Sequence, residues 1–354
     1  MDLSAALGSG IDHVAVYVGN YAVTCLIPIF LLAGAIVVYP RQSGLFHYFT
    51  NEVPRPVSYL TALGTGMILC IFTLVIIPMF AALHRREAAV GPQIVFLYAG
   101  SALNLIAVFG IGQLYGVSGA VLLIGAATGV AVLTALCMSA LFQRVQPVGC
   151  FCRKSTPGKW EQTLWCVPGL FALLILLLLS GALPVSSGVK FLLFAGIGVV
   201  LLGYTTVFLS LESIREWLRS AGHIAVRAVP FLLLGHFVLG IFTSVVDPAY
   251  IVPYLSDNSL LSCLSGAVSG LFYHMPAALD VPVLESTFGP DASSLAAGPL
   301  LALILAGSGI CLPLLMVVHV VIGTRRALVY GGLVIVFATL FGFFYGMVSG
   351  PLQL

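Results

Sequence analysis

Gly91-Pro92-Gln93-Ile94-Val95-Phe96-Leu97-Tyr98-Ala99-Gly100-Ser101 and Gly298-Pro299-Leu300-Leu301-Ala302-Leu303-Ile304-Leu305-Ala306-Gly307-Ser308 read as one phrase written twice. Two further stretches precede each copy in the same order. Ile27-Pro28-Ile29-Phe30-Leu31-Leu32 and Val75-Ile76-Ile77-Pro78 lead to the first; Val229-Pro230-Phe231-Leu232-Leu233-Leu234 and Asp280-Val281-Pro282 lead to the second. Pro28 pairs with Pro230, Pro78 with Pro282 and Gly91 with Gly298, so the offset grows from 202 to 204 to 207, as two short insertions would make it. A duplicated apolar unit interrupted by Pro and Gly at matching places is the sequence mark of a membrane transporter. Substrate is expected where the two copies meet.

The composition agrees. Hydrophobic residues make up 60% of the chain and charged residues 7%, against roughly 25% charge in a soluble domain, and the mean hydropathy is +1.13. The chain therefore reads as an integral membrane protein whose first partner is the lipid bilayer. A net charge of +2 gives no reason to expect nucleic acid. Met1-Asp2-Leu3-Ser4 carries an acid where a secretory signal would carry Lys or Arg, so no cleaved peptide is expected. The eight cysteines lie mostly in apolar runs, where Cys behaves as a small hydrophobe, and no disulfide framework is expected.

Breaking the apolar runs at charges and at Pro/Gly/Asn clusters gives about ten transmembrane helices, near 21–39, 57–83, 92–114, 117–142, 165–183, 191–211, 224–246, 260–280, 299–321 and 327–349. The runs lack the short inside/outside alternation of a membrane barrel. The expected fold is an all-α polytopic membrane protein with two homologous Pro/Gly-interrupted repeats. Residues 1–142 form the first repeat, 143–222 a basic loop, two linking spans and a connecting helix, and 223–354 the second repeat. Glu212–Arg227 mixes acids and bases at helical spacing, as a solvated connecting helix would.

If the ten spans simply alternate, the loops on the side of the N-terminus carry nine Lys and Arg against five opposite. The bias of basic residues toward the cytoplasm then places both termini inside a bacterial inner membrane, with Arg325-Arg326 outside. A strict ten-span count makes the repeats parallel; one re-entrant segment would invert them. Gly pairs such as Gly125/Gly129, Gly266/Gly270 and Gly342/Gly346 read as general helix packing.

Chemistry is sparse. There is no Walker-type phosphate loop, no His-Glu-x-x-His and no Gly-x-Ser-x-Gly elbow, so neither ATP hydrolysis nor another enzyme activity is expected. No cofactor is implied. Cys150-Phe151-Cys152 offers two thiols to a soft cation without a His nearby, which does not make a metal site. His236 and His319 lie singly in apolar spans and read as buried structural side chains.

The polar cluster that stands out is Tyr273-His274-Met275-Pro276-Ala277-Ala278-Leu279-Asp280-Val281-Pro282. Ionisable groups in hydrocarbon are costly and usually face a cavity, which makes Asp280 and His274 candidates for substrate or proton coupling. The competing reading has Asp280 cap a helix at the membrane edge. Pro78, Pro276 and Pro282 are candidate helix breaks, since each lacks a backbone donor. In the first copy the matching polar residues are Tyr98, Ser101 and Asn104, and in the second Ser308, each just after Gly-Pro, where a half-helix would offer free backbone groups. Their alternative is hydrogen bonding between helices.

These residues resemble a known family, the bacterial ArsP-type permeases associated with efflux of trivalent organoarsenicals. The resemblance rests on Ile77-Pro78-Met79-Phe80-Ala81-Ala82-Leu83 with Arg85-Arg86, on Gly91-Pro92 with Phe96 to Asn104, on Pro230-Phe231-Leu232-Leu233-Leu234-Gly235, on Pro276 to Pro282, on Ala306-Gly307-Ser308 and on Gly323-Thr324-Arg325-Arg326. It covers both repeats in order. Where family members commonly show a Cys-x-Cys-Thr stretch, this chain reads Phe72-Thr73-Leu74-Val75; Cys70 lies two residues earlier, and Asp280 stands where relatives usually carry Glu. The resemblance implies a secondary-type permease exporting a small, partly hydrophobic toxic compound, organoarsenicals being the substrate class it names. Proton coupling is an expectation from Asp280 alone. The alternatives are a membrane subunit of a multi-component transporter and a membrane-embedded lipid or quinone enzyme. Homo-oligomerisation is left open.

Overall fold

The computed structural model describes residues 3–21, 26–39, 44–50, 52–69, 76–85, 88–103, 105–142, 166–182, 186–246, 250–272 and 295–349. Among these residues the chain is all-helical. In order come α1 (Leu3–Tyr21), α2 (Ile27–Val38), α3 (Arg55–Leu69), α4 (Ile76–Arg85), α5 (Val90–Ala102), α6 (Leu105–Leu141), α7 (Cys166–Ala182), α8 (Ser187–Phe208), α9 (Leu211–Val245), α10 (Leu260–Phe272), α11 (Ala297–Ile310), α12 (Leu312–Ile322) and α13 (Thr324–Ser349). Short 3-10 helices, Gly44–Phe49 and Val252–Leu255, stand before α3 and α10.

Among the described residues four helices are long and apolar enough to cross a bilayer: Val117–Leu141 within α6, Gly188–Phe208, Leu211–Val245 and Thr324–Val348. The pair α11 and α12, bent by 43°, makes a fifth if counted as one span. Against the expectation of about ten transmembrane helices in Pro/Gly-interrupted repeats, the described residues thus supply four or five such candidates. Apolar content located the membrane segments, and Pro313 stands at the break in one of them. Run 57–83 is divided between α3 and α4. The boundary placed between 114 and 117 falls inside one helix, α6, and run 299–321 is divided between α11 and α12. The run 224–246 is the second half of α9, whose first half is the expected connecting helix. Helix α1 precedes all ten expected spans.

Local chemistry accounts for these boundaries. Ser210 caps α9, its Oγ accepting from the Ser213 N–H at 3.3 Å, as Ser does well at a helix start. Pro28, Pro78 and Pro313 all sit in the first turns of α2, α4 and α12, where a missing N–H costs nothing. Pro230 alone lies inside a described helix, α9. Gly323 joins α12 to α13 with φ of 89°, a conformation that a side chain resists.

Helices α1 and α2 run in tandem, antiparallel to α9. Trp217 donates its indole N–H to the Leu31 carbonyl at 2.7 Å, and Gly34 meets Ala221. Further along, Ser9 Oγ donates to the Gly240 carbonyl at 3.1 Å, and Gly10 fits against Phe237 and Ile241. Tyr17 and His13 stack on His236 with ring centroids 3.8 Å and 5.6 Å away. The connecting helix is thus packed on one face rather than solvated all round: Trp217 and Ala221 are buried.

Two contacts fix the direction of α13. Gly129 of α6 lies against the Phe341 ring, and the Arg326 guanidinium lies 5.6 Å from the Phe142 ring centroid. The two helices are antiparallel, and the start of α13 sits beside the end of α6. Arg325-Arg326 consequently shares an end of the bundle with Phe142, not the opposite end as simple alternation suggested. The start of α3 and the end of α4 also meet at one end of α5. Tyr59 near the start of α3 packs on Gly91, while His84 near the end of α4 approaches Gln93 with Nδ1 3.3 Å from Oε1. Both contacts lie in the first turn of α5, so this segment begins and ends at one end of the bundle and does not cross it.

Candidate functional site

The centre of the fold is the pair α5 and α11. Every side chain position from Gly91 to Ala102 and from Ala297 to Ile310 is buried, and the two helices meet where Tyr98 crosses to α11. The Tyr98 hydroxyl donates to the Leu305 carbonyl at 2.7 Å, and its ring covers Gly309. Tyr330 of α13 donates to the Gly309 carbonyl at 2.8 Å. Two fully buried phenols therefore find backbone acceptors, as burial of a hydroxyl demands.

Each helix of the pair is held in the same way by its own neighbours. Both begin at an alanine in extended conformation without a side-chain cap, Ala89 and Ala296. The Ala89 N–H donates to the Phe49 carbonyl at 2.7 Å, and the Ala296 N–H to the Leu255 carbonyl at 2.9 Å, each acceptor closing one of the 3-10 helices. Gly91 lies against Tyr59 of α3, and Gly298 against Cys263 of α10. A Cβ on Gly66 of α3 would fall 3.0 Å from the Gly100 nitrogen and 3.1 Å from the Phe96 oxygen. One on Gly270 of α10 would fall 2.6 Å from the Gly307 nitrogen and 2.8 Å from the Leu303 oxygen. These residue pairs stand at the 204 and 207 offsets of the sequence. Glycine pairs that read only as general packing in the sequence, Gly266/Gly270 among them, thus have a specific place: Gly266 touches the Pro299 backbone.

A cavity of about 620 Å³ opens beside the first turn of α5. Thr50, Arg55, Ser58 and Tyr59 line it from the 3-10 helix and α3, Val90, Gly91 and Pro92 from α5, and Leu136, Ser139 and Phe142 from α6. Helix α5 has no side-chain cap, so its first backbone donors are part of the wall. Next to it, Gln93 donates its amide to the Ala88 carbonyl and receives His84, whose Nε2 makes no hydrogen bond although the residue is 3% exposed. The cavity can hold a small molecule with an apolar body and a hydrogen-bond acceptor.

Of the sequence candidates, the structure brings Tyr98 and Ser308 to the contact between α5 and α11, with Ser101 one turn along α5. Their hydroxyls are occupied locally: Ser101 donates to the Tyr98 carbonyl at 2.9 Å and Ser308 to the Leu305 carbonyl at 3.3 Å. Asp280, His274, Asn104, Cys70, Pro276 and Pro282 lie outside the described residues, as do Cys150 and Cys152. His319 stacks on Phe231 at 6.0 Å and faces Thr324 at 3.5 Å. Among the described residues no three His, Cys, Asp or Glu side chains come together as metal ligands. Sequence reasoning did not single out Arg55, Ser58, Tyr59 or Ser139. The available signal was Gly91-Pro92 itself, because a Gly in the first turn of a helix leaves room for whatever packs beside it.

A family model described as a predicted permease, ArsP_1, matches residues 9–347 of the chain. The UPF0718 protein MJ0584 of Methanocaldococcus jannaschii is 27% identical over 350 residues, covering 96% of this chain and 95% of that protein.

Proposed function

The chain belongs to the ArsP_1 family of predicted permeases, and from that premise we propose a secondary-type permease that exports a small, partly hydrophobic toxic compound by alternating access between two repeats. The observation that carries this reading is the doubled niche of Gly66 on α5 and Gly270 on α11, in which two sequence-related units pack their buried helices against each other through Tyr98. Transporters with this construction place substrate at the repeat interface and rock one unit against the other.

The antiparallel courses support an inverted pair. Val117–Leu141 of α6 corresponds to α13 by the 207 offset, α2 corresponds to the second half of α9 by the 202 offset, and in each case the two members run in opposite directions. An axis relating them then lies across the helices, in the plane of the membrane. The ten membrane segments of the sequence reading divide on this view into eight crossings and two re-entrant segments, the latter beginning at α3 and α10. Arg55, Arg85, Arg325 and Arg326 share one end with Phe142, which we assign to the cytoplasm. The ends of the chain then face away from the cytoplasm, reversing the expectation that alternation of ten full spans produced.

Organoarsenicals remain the named substrate class, through the family resemblance, and the cavity wall of Tyr59, Pro92, Leu136 and Phe142 suits a compound with an apolar body. No paired thiols stand at the position where the family commonly has them, so recognition through Cys-x-Cys is not part of the proposal. Asp280 is proposed as the proton-coupling group on sequence grounds. Uptake into inverted vesicles, measured over a panel of trivalent arsenicals and other amphipathic toxicants with and without a proton gradient, tests the reading. Absence of gradient-driven movement for every compound, by protein shown to be folded, would overturn it.

A further inference from the structure

The cavity beside α5 has a counterpart beside α11, and that counterpart is shut. The offsets lead from Tyr59 to Cys263, from Gly91 to Gly298 and from Ser139 to Gly346. At the second place the helices touch: a Cβ on Gly342 would lie 2.5 Å from the Gly298 oxygen, and one on Gly346 2.7 Å from the Asn258 Cγ. The Asn258 side chain fills the gap, its Oδ1 accepting the Gly298 N–H at 2.9 Å. Cys263 is fully buried behind it. The preceding loop is held by Asp257, which accepts hydrogen bonds from Ser259, at 3.0 Å, and Ser262.

The first half lacks the parts for such a closure. Position 54 is Pro where the second half has Asn258, and positions 135 and 139 are Ala and Ser where it has Gly342 and Gly346. Because α6 and α13 are antiparallel, the C-terminal ends that border the two places lie at opposite ends of the bundle. We propose that Asn258 is the latch of a second mouth, closed here, while the cavity beside α5 is the first mouth, standing open. The proposal rests on the alternating-access reading and adds to it the residue that holds one side shut. Release of the Asn258–Gly298 bond lets α10 and the start of α11 part from α13 and uncovers Cys263.

The native thiol reports on the latch. In a chain whose other cysteines are replaced, the rate of Cys263 modification by N-ethylmaleimide in membrane vesicles is read by mass spectrometry, with Asn258 intact and as Asn258→Ala. Reaction is expected to be slow in the first and about tenfold faster in the second, the ratio that loss of one hydrogen bond gives. Asn258→Asp keeps an acceptor and should remain slow, whereas Gly346→Ala, which crowds Asn258 from another helix, should speed the reaction. A Ser139→Cys reporter in a chain without Cys263 reads the open cavity and should react fast throughout. Two results would overturn the latch: Cys263 staying slow in Asn258→Ala and Gly346→Ala while the Ser139→Cys reporter reacts, or Cys263 reacting as fast as that reporter with Asn258 intact. Labelling needs no substrate, so either result leaves the permease reading standing, and failure of transport alone leaves the latch standing.

Discussion

Gly270 and Gly307 lie so close that a Cβ on Gly270 would fall 2.6 Å from the Gly307 nitrogen, and the neighbouring Leu303 oxygen is 2.8 Å from the same point. Both are backbone atoms of a buried helix and cannot swing aside, so α10 and α11 are locked together by the absence of a side chain. In lipid, where apolar surface has no water to escape, such close backbone packing supplies much of the association energy.

Replacement of Gly270 by Ala should therefore destabilise the protein by about 1–3 kcal/mol, the usual cost of overpacking. Gly66→Ala, whose nearest contact is 3.0 Å, should cost less. Gly222→Ala, with open space around it, should be neutral or mildly stabilising, since Ala is the better helix former by roughly 1 kcal/mol. Thermal unfolding in one detergent ranks the three; an equal effect at Gly270 and Gly222 would contradict the packing described.

Tyr98→Phe removes one hydrogen bond but leaves the Leu305 carbonyl with Ser308 as donor. A loss of about 1 kcal/mol in stability is expected, with transport retained. Loss of transport by a folded Tyr98→Phe protein would instead make the hydroxyl a substrate ligand.

Asp280→Asn is nearly isosteric and should preserve folding while abolishing gradient-driven transport, because the amide cannot carry a proton through the cycle. Binding and counterflow should survive. If the carboxylate only terminates a helix, the change costs about 1 kcal/mol as other cap losses do, and transport proceeds at the wild-type rate with unchanged pH dependence.

The absence of paired thiols near Pro78 leads to a separate expectation for Cys70→Ser, which should leave transport largely intact. Abolished transport of an arsenical with the fold preserved would assign Cys70 as a ligand, since a thiolate binds such a soft centre where a hydroxyl does not.

Topology gives the last expectation. With Arg326 beside Phe142, a membrane-impermeant thiol reagent applied to intact cells should leave Cys150 and Cys152 untouched but reach a cysteine appended after Leu354. Labelling of the loop and protection of the tail would reverse the orientation.

Apolar runs without charge, punctuated by Pro and Gly, were enough to read a helical membrane protein, because no other backbone arrangement satisfies its hydrogen bonds within those runs in lipid. The doubled Gly-Pro phrase also pointed to α5 and α11, which prove to be buried from Gly91 to Ala102 and from Ala297 to Ile310. The site was less legible. Tyr98, Ser101 and Ser308 stood out by placement, yet their hydroxyls bond to nearby carbonyls. Arg55 and Ser139, some 84 positions apart in sequence, became neighbours only through the packing of α3 and α6 around α5.

What the sequence determined by itself, then, is the class of the protein and its family, since these depend on residue type and order. Tertiary structure alone decided that the α3–α4 segment returns to its own side and that Arg326 joins Phe142. It also decided that Asn258 fills in one half the space left open in the other. Each of these depends on which backbones approach closely, and that is settled by the steric fit of glycine, proline and their neighbours across helices far apart in the chain.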